Sequence, residues 1–316
     1  MATWLAWFLL AVSFGIIFLG SEWFVNSSVR IAEGLRVPKV LVGATIVSLA
    51  TTAPELFVSA LAAFLGKVGL AAGNAVGSPI SNIGFIFGLC VLFTFVPVDQ
   101  KVIRKQGLMM IGTALMAFAV SFHGMLDRPV AVFFLVLTGL YLWYSVHKAR
   151  QESRKAPLPE EAIDFRPGRK ILLFLLGAAL VIGGSRLLIF AGTELARSFG
   201  ISETVIGLTL VAVGTSLPEF FTSVAALTKG HLELSAGNII GANILDVVWV
   251  LGVAGAIRPL PIDSQTSCLA LPVLVILSAL FVIFGITHRG FKRWEGAVLL
   301  LVYALYCLAL FRACPV

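Results

Sequence analysis

Charge is what this sequence has least of. Of 316 residues only 12% are Asp, Glu, Lys or Arg, against 59% hydrophobic side chains, and the mean hydropathy is +1.00. A soluble domain carries about 25% charged residues. A soluble globular enzyme is therefore excluded, and so is a disordered chain. Histidine and cysteine are also scarce, with four of each. Cys90, Cys268, Cys307 and Cys314 lie in or beside apolar runs without metal-type spacing and read as small buried hydrophobes. The histidines fall near helix ends without ligand spacing. Phosphate loops, nucleophile–base sets and redox motifs are absent. That argues against ATP-driven pumping, and neither enzyme chemistry nor a cofactor is expected.

What is present is lipid-compatible helix. A spanning helix needs roughly 20 apolar residues. Apolar runs set ten such segments at 3–33, 39–66, 70–96, 103–122, 129–149, 169–199, 203–228, 232–257, 266–287 and 291–312. Val37-Pro38, Pro97-Val98-Asp99, Asp127-Arg128-Pro129 and Pro259-Leu260-Pro261 mark breaks. The first stretch lacks a basic leader and reads as a spanning helix rather than a cleaved signal. The longest polar stretch, 150–170, divides the chain into five-helix halves, 1–150 and 169–316, with a linker over 151–168. With the N-terminus outside, the inside loops hold 17 Lys and Arg and the outside loops 5. Basic residues favour the cytoplasmic side, so both termini are expected outside a cell (inner) membrane. The net charge of +7 then reflects cytoplasmic loops, not nucleic-acid binding.

Self-comparison finds a repeat. Residues 42–89 and 206–253 align without a gap at an offset of 164, with 17 identities in 48 positions. The identities include Thr51/Thr215, Pro54/Pro218, Glu55/Glu219, Gly73-Asn74/Gly237-Asn238 and Gly77/Gly241. Gly20-Ser21 and Gly184-Ser185 match at the same offset. An odd number of helices per half starts the second half on the opposite side of the membrane. The expected fold is therefore an all-α integral membrane protein of ten transmembrane helices, built as two inverted five-helix repeats. Such architecture places broken helices and substrate near the midplane, where the repeats meet.

The repeated motif carries the chemistry. Glu55 and Glu219 lie mid-helix among apolar residues, where an ionised carboxylate is costly and marks function. Each follows a proline. Pro54 and Pro218 lack an N–H and clash with the carbonyls of Ala50 and Gly214. Irregular backbone at membrane depth is tolerated where it lines a cavity. Carbonyls with two carboxylates make an oxygen cage suited to a hard cation such as Ca²⁺ or Na⁺. Asn82 and Asp246 occupy equivalent positions further on. Asn74 and Asn238 read as cross-helix or capping amides rather than ion ligands, and the glycines as close-packing residues. Glu22 and Arg186, also at offset 164, read as an interhelical pair or as side chains reaching the interface.

These pieces resemble the sodium/calcium exchanger branch of the cation/Ca²⁺ antiporter superfamily, in its compact prokaryotic form. They are Gly43-Ala44-Thr45, Thr51-Thr52-Ala53-Pro54-Glu55, Gly73-Asn74-Ala75-Val76-Gly77-Ser78, Gly214-Thr215-Ser216-Leu217-Pro218-Glu219 and Gly237-Asn238-Ile239-Ile240-Gly241-Ala242-Asn243. The resemblance implies exchange of Na⁺ for Ca²⁺ by alternating access. It implies Ca²⁺ on Glu55, Glu219, Thr51 and Thr215. It implies Na⁺ on the same glutamates with Ser216, Ser78 and carbonyls such as those of Ser48 and Ala212. Asn82 and Asp246 would complete the site, and helices one and six would slide across the other eight. Three positions depart from the family pattern. Thr52 stands for a serine and keeps the hydroxyl, Pro79 follows Ser78 and should bend the third helix, and Ala242 replaces a common serine in a Na⁺ site.

Two carboxylates sharing one buried site repel each other and cannot both stay ionised without a cation. An empty site should then resist crossing while Ca²⁺ or several Na⁺ neutralise it. That favours obligatory exchange, electrogenic if three Na⁺ replace one Ca²⁺. Competing readings are a proton- or potassium-coupled cation antiporter on the same fold and a cation channel. The lipid bilayer is the expected surrounding, and no protein partner is implied.

Overall fold

The computed structural model describes residues 3–34, 48–98, 100–153, 167–220, 223 and 232–312. The Val37-Pro38 break, the Gly43-Ala44-Thr45 piece and most of the linker fall outside the described residues.

The first half begins with α1 (Thr3–Gly34), α2 (Ser48–Thr51), α3 (Ala53–Phe64) and α4 (Val68–Ser81). A π-helical stretch, Asn82–Phe87, leads into α5 (Gly88–Phe93). Strand β1 (Val96–Pro97), α6 (Gln100–Ser121), β2 (Met125–Leu126) and α7 (Arg128–Ser153) follow. The second half opens with α8 (Pro167–Phe199), α9 (Glu203–Ile206), a π-helical stretch Gly207–Val211 and α10 (Ala212–Thr215). Then come α11 (Leu232–Leu245), a π-helical stretch Asp246–Val250 and α12 (Leu251–Ile257). Strand β3 (Leu260–Pro261), a π-helical stretch Thr266–Ala270, α13 (Leu271–Thr287), β4 (Gly290–Phe291) and α14 (Arg293–Arg312) complete the chain.

Among the described residues seven helices are long and apolar enough to cross a membrane, and Ala53–Phe64 and Glu203–Thr215 are shorter apolar helices. Their edges fall where the prolines and charges predict. Asp127 closes one break by accepting the Val130 N–H at 3.1 Å, and Asp263 another by accepting that of Thr266 at 2.8 Å. These acids cap helix starts, where unpaired N–H groups need an acceptor.

Two short ladders, unforeseen in an all-α reading, tie the loops. Strand β1 pairs antiparallel with β4, and β2 with β3. Strand β1 precedes α6 and β2 follows it, so the ladders sit at opposite ends of a 22-residue helix. Leu260-Pro261 follows Val96-Pro97 by 164 residues and Gly290-Phe291 follows Met125-Leu126 by 165, so each ladder is the repeat counterpart of the other. The match extends to the backbone. Val98 N–H donates to Arg289 O at 3.2 Å and Ile262 N–H to Gly124 O at 2.9 Å. Both acceptors are left-handed, Gly124 at φ 68° and Arg289 at φ 54°.

Small residues set the closest helix contacts. A Cβ on Gly20 would meet the Gly177 carbonyl at 2.9 Å, and one on Gly184 would meet Ile17 at 2.7 Å, so α1 and α8 pack on glycine seams. Phe24 and Phe174 stack beside them with centroids 4.7 Å apart. Helix α4 packs as tightly against the Glu203–Val211 segment. A Cβ on Gly73 would lie 2.5 Å from Thr204 O, and one on Gly77 2.5 Å from Leu208 O. This contact seats one motif against the other, because α4 carries Asn74 and Ser78, and the segment leads directly to Thr215.

Candidate functional site

The Pro-Glu motif breaks its helix in the same way twice. Helix α2 ends at Thr51, Thr52 forms a turn, and α3 resumes with Pro54 at its start and Glu55 in its first turn. Proline suits that position because its missing N–H is one the helix start leaves unpaired. The other first-turn N–H groups favour a carboxylate there. In the second half α10 ends at Thr215, Ser216 turns, and 217–220 is helical again with Pro218 and Glu219. The backbone bonds correspond. Thr52 N–H donates to Ser48 O at 3.0 Å and Leu56 N–H to Thr52 O at 3.1 Å. Ser216 N–H donates to Ala212 O and Phe220 N–H to Ser216 O, both at 3.1 Å.

Glu55, Glu219, Thr51, Thr52, Thr215, Ser216, Ser78, Ser48, Ala212, Asn82 and Asp246 are all buried. One group of them crosses the repeat boundary. Ser216 Oγ donates to Glu55 Oε1 at 3.1 Å. Thr215 Oγ1 lies 3.0 Å from Asn74 Oδ1 and 3.4 Å from Ser78 Oγ. Asn74 Nδ2 donates to the Glu55 carbonyl at 3.2 Å and to Ser59 Oγ at 2.9 Å. The counterpart contacts in the other half are open. Glu219 lies against Thr51, yet among the described residues neither of its carboxylate oxygens has a hydrogen-bond partner in place, and neither does the Thr52 hydroxyl. The Ser48 and Ala212 carbonyls, expected as Na⁺ ligands, each take a second donor besides the backbone N–H. These donors are Thr51 Oγ1 at 3.3 Å and Thr215 Oγ1 at 3.2 Å.

A second group lies where α4 and α11 pass into π-helical stretches. Asn82 begins one stretch and Asp246 the other. Helix α4 continues through Pro79 to Ser81 before the pitch changes at Asn82, and the same change occurs at Asp246 where Asn243 stands in place of the proline, so the change does not depend on Pro79. Such π-turns cluster at functional sites. Asn82 Nδ2 donates to Asp246 Oδ2 at 3.4 Å and to Asn243 Oδ1 at 3.1 Å. Asn243 Nδ2 reaches the Pro79 carbonyl at 3.4 Å and Met110 Sδ at 3.7 Å. Asn243, Ser59 and Asn74 are the members that ligand reasoning from the sequence did not select. The signal for Asn243 was its place in the second motif opposite Pro79.

Four acids are fully or nearly fully buried among the described residues: Glu55, Glu219, Asp246 and Glu295. Their hydrogen bonds separate them. Both Glu295 oxygens are used, by His288 Nδ1 at 3.1 Å and by Lys292 N–H at 2.7 Å. By contrast Glu55 Oε2, both Glu219 oxygens and Asp246 Oδ1 have no partner, and Asn82 Oδ1 beside them has none. A buried polar atom without a partner costs about 1–3 kcal/mol, more when charged. The Glu55 carboxyl interacts electrostatically with those of Glu219 and Asp246. Among the described residues no group of three or more His, Cys, Asp or Glu forms a resident metal centre. The donors are acids mixed with hydroxyls, amides and carbonyls, an all-oxygen set that fits a hard cation as cargo. Glu22 and Arg186 are exposed on α1 and α8.

Comparison with known proteins identifies the family. The family described as sodium/calcium exchanger protein matches residues 5–147 and 169–312. Sodium/calcium exchanger MaX1 of Methanosarcina acetivorans is 29% identical over 94% of this chain and 96% of its own length. Inner membrane protein YrbG of Escherichia coli K12 is 35% identical over 88% of this chain and 87% of its own. The sodium-calcium exchanger NCX_Mj, in a structure soaked with 2.5 mM Na⁺ and 0.1 mM Ca²⁺, superposes with a TM-score of 0.69 at 30% identity. The match covers 96% of this chain and 98% of that one. The chain has an all-helical membrane fold like that of NCX_Mj and belongs to the sodium/calcium exchanger family of transporters.

Proposed function

We propose that this chain is a secondary antiporter that exchanges Na⁺ for Ca²⁺ by alternating access in the cell membrane. In this reading ten transmembrane helices form two inverted five-helix halves, 1–150 and 169–316. The linker 151–168 lies in the cytoplasm and both termini lie outside. Glu55 and Glu219 bind Ca²⁺ with the oxygens of Thr51 and Thr215. Na⁺ uses the same glutamates with Ser216, Thr52, Ser78 and the Ser48 and Ala212 carbonyls. Asn82 and Asp246 complete the centre.

One observation carries the proposal. Three buried acids from two repeats hold four carboxylate oxygens without partners among the described residues in one polar cluster, whereas the remaining buried acid among the described residues, Glu295, is fully bonded. A cation supplies the missing partners and offsets the mutual repulsion of the carboxylates. Without a cation the charged site is costly to carry through the membrane interior. That cost couples outward movement of one ion to inward movement of the other, and unequal charge makes the exchange electrogenic.

The test is ⁴⁵Ca²⁺ uptake into proteoliposomes driven in turn by a Na⁺, a K⁺ and a pH gradient. Uptake with the Na⁺ gradient alone, stimulated by a membrane potential of the right sign, is the expected result. Uptake driven by K⁺ or H⁺ without Na⁺ contradicts it, and uptake without any counter-ion points to a channel.

A further inference from the structure

We infer that Asn74 is a positioning residue for the cation site. It draws the Thr215 proton away, so that the Thr215 oxygen and the Ala212 carbonyl are both available to a cation. The inference rests on the exchanger reading for the identity of the ion. It concerns a residue that donates no ligand of its own.

The chemistry follows from one proton. A threonine hydroxyl can ligate a cation only with its oxygen lone pairs, so its single O–H must point to another acceptor. Three acceptors are within reach of Thr215 Oγ1: Asn74 Oδ1 at 3.0 Å, Ala212 O at 3.2 Å and Ser78 Oγ at 3.4 Å, and Asn74 is the nearest. Asn74 is fully buried, and its amide is held from the other side by the Glu55 carbonyl and Ser59 Oγ. Those two bonds fix which end of the amide faces Thr215, because the nitrogen is committed to α3 and the oxygen must then point across the repeat boundary. One side chain therefore couples the start of the Glu55 helix to the polarity of a hydroxyl in the opposite repeat.

The second half supplies an internal comparison. Among the described residues Asn238, the counterpart of Asn74, has an Nδ2 without a partner, and Ser223, the counterpart of Ser59, has an unpartnered Oγ. The Asn238 Oδ1 receives Ser48 Oγ at 3.5 Å. Thr51, the counterpart of Thr215, donates to the Ser48 carbonyl at 3.3 Å. Where the asparagine is anchored, the threonine has an acceptor outside its own helix. In the other half the Thr51 hydroxyl reaches its own-helix carbonyl and lies against the Glu219 carboxyl. The two asparagines share the Ala-Gly-Asn triplet and the glycine three residues on, but Ala75, Val76, Ser78 and Pro79 stand where the second half has Ile239, Ile240, Ala242 and Asn243.

The experiment is titration of the purified full-length protein with CaCl₂ by calorimetry, alongside Na⁺-driven ⁴⁵Ca²⁺ uptake. Asn74→Ala is expected to raise the half-saturating Ca²⁺ concentration about tenfold, within the range for loss of an outer-shell partner. In a Thr215→Val background the same change is expected to add nothing, because the group it acts through is gone. An unchanged half-saturation in Asn74→Ala with only a lower maximal rate overturns the inference. An equal tenfold step in the Thr215→Val background overturns it too. A wild type that binds Ca²⁺ without Na⁺-driven uptake removes the exchanger reading and leaves the Asn74 comparison standing. A wild type that binds no Ca²⁺ overturns both.

Discussion

Asn82 and Asp246 stand 164 residues apart and touch, with Asn82 Nδ2 donating to Asp246 Oδ2 at 3.4 Å. That separation is also the offset that aligns the two motifs. Equivalent positions of the two repeats therefore meet. Pro79 and Asn243, at the same separation, meet as well, through Asn243 Nδ2 and the Pro79 carbonyl. The two contacts lie beside the Glu55 and Glu219 motifs, so the repeat that carries the acids also brings them to one point.

Close apposition of α4 to the Glu203–Val211 segment is tested by Gly73→Ala. Its Cβ would lie 2.5 Å from the Thr204 carbonyl and 2.9 Å from the Leu208 nitrogen, both backbone atoms that cannot rotate away. The variant is expected to lose about 1–3 kcal/mol of stability. Gly112→Ala, where nothing lies within 4 Å, is expected to be neutral or slightly stabilising because alanine favours helix. Thermal unfolding in one detergent compares them. Equal melting temperatures would contradict the packing described.

The Arg289 backbone predicts a gain. Its φ of 54° costs an L-residue about 1–2 kcal/mol, and the equivalent position in the other ladder is Gly124. The side chain is exposed, so Arg289→Gly removes strain with little loss of packing. Allowing for the greater freedom of glycine in the unfolded chain, the variant should be more stable by about 0.5–1 kcal/mol. A lower melting temperature would show that the arginine side chain contributes more than the strain.

Glu295 separates burial from transport. Its carboxylate is fully buried and is spent on His288 and Lys292 at the start of α14. Glu295→Gln is expected to lower the melting temperature, since loss of a charged acceptor costs about 1–3 kcal/mol. The half-saturating Ca²⁺ concentration should be unaffected. A shift in Ca²⁺ half-saturation comparable to that of a site residue would contradict the division of the buried acids.

Ala242 is the counterpart of Ser78, whose hydroxyl lies 3.4 Å from Thr215 Oγ1. A serine at 242 would place an oxygen in the equivalent place on the other side of the site. Ala242→Ser is expected to lower the Na⁺ concentration that half-maximally drives Ca²⁺ movement by roughly fivefold, one oxygen contact being worth about 1 kcal/mol. Sodium titration of ⁴⁵Ca²⁺ efflux reads this directly, and an unchanged or higher half-saturation contradicts it.

Helix edges were legible because each break rests on local chemistry. The segment expected at 169–199 is Pro167–Phe199, and that at 266–287 is Thr266–Thr287. The acids Glu55, Glu219 and Asp246 were legible because a carboxylate in an apolar run is rare enough to stand out. Other features were not. The π-helical starts at Asn82 and Asp246 change pitch, not composition, so no residue type announces them. Two-residue ladders are too short to carry an alternating pattern. The difference between a bonded Ser216–Glu55 pair and the open Thr52–Glu219 pair cannot be written in two motifs of the same order. It depends on how whole halves pack, which a repeat in the sequence makes equal by construction.

The central claim is that Glu55 and Glu219, one from each repeat, together form a single cation site. The most direct measurement is Na⁺-gradient-driven ⁴⁵Ca²⁺ uptake by Glu55→Gln and Glu219→Gln, each made separately and each checked for wild-type folding. Glutamine keeps the shape and removes the charge that the cation must balance. Loss of uptake in both variants is the predicted result. Uptake at the wild-type rate in either one would contradict the account.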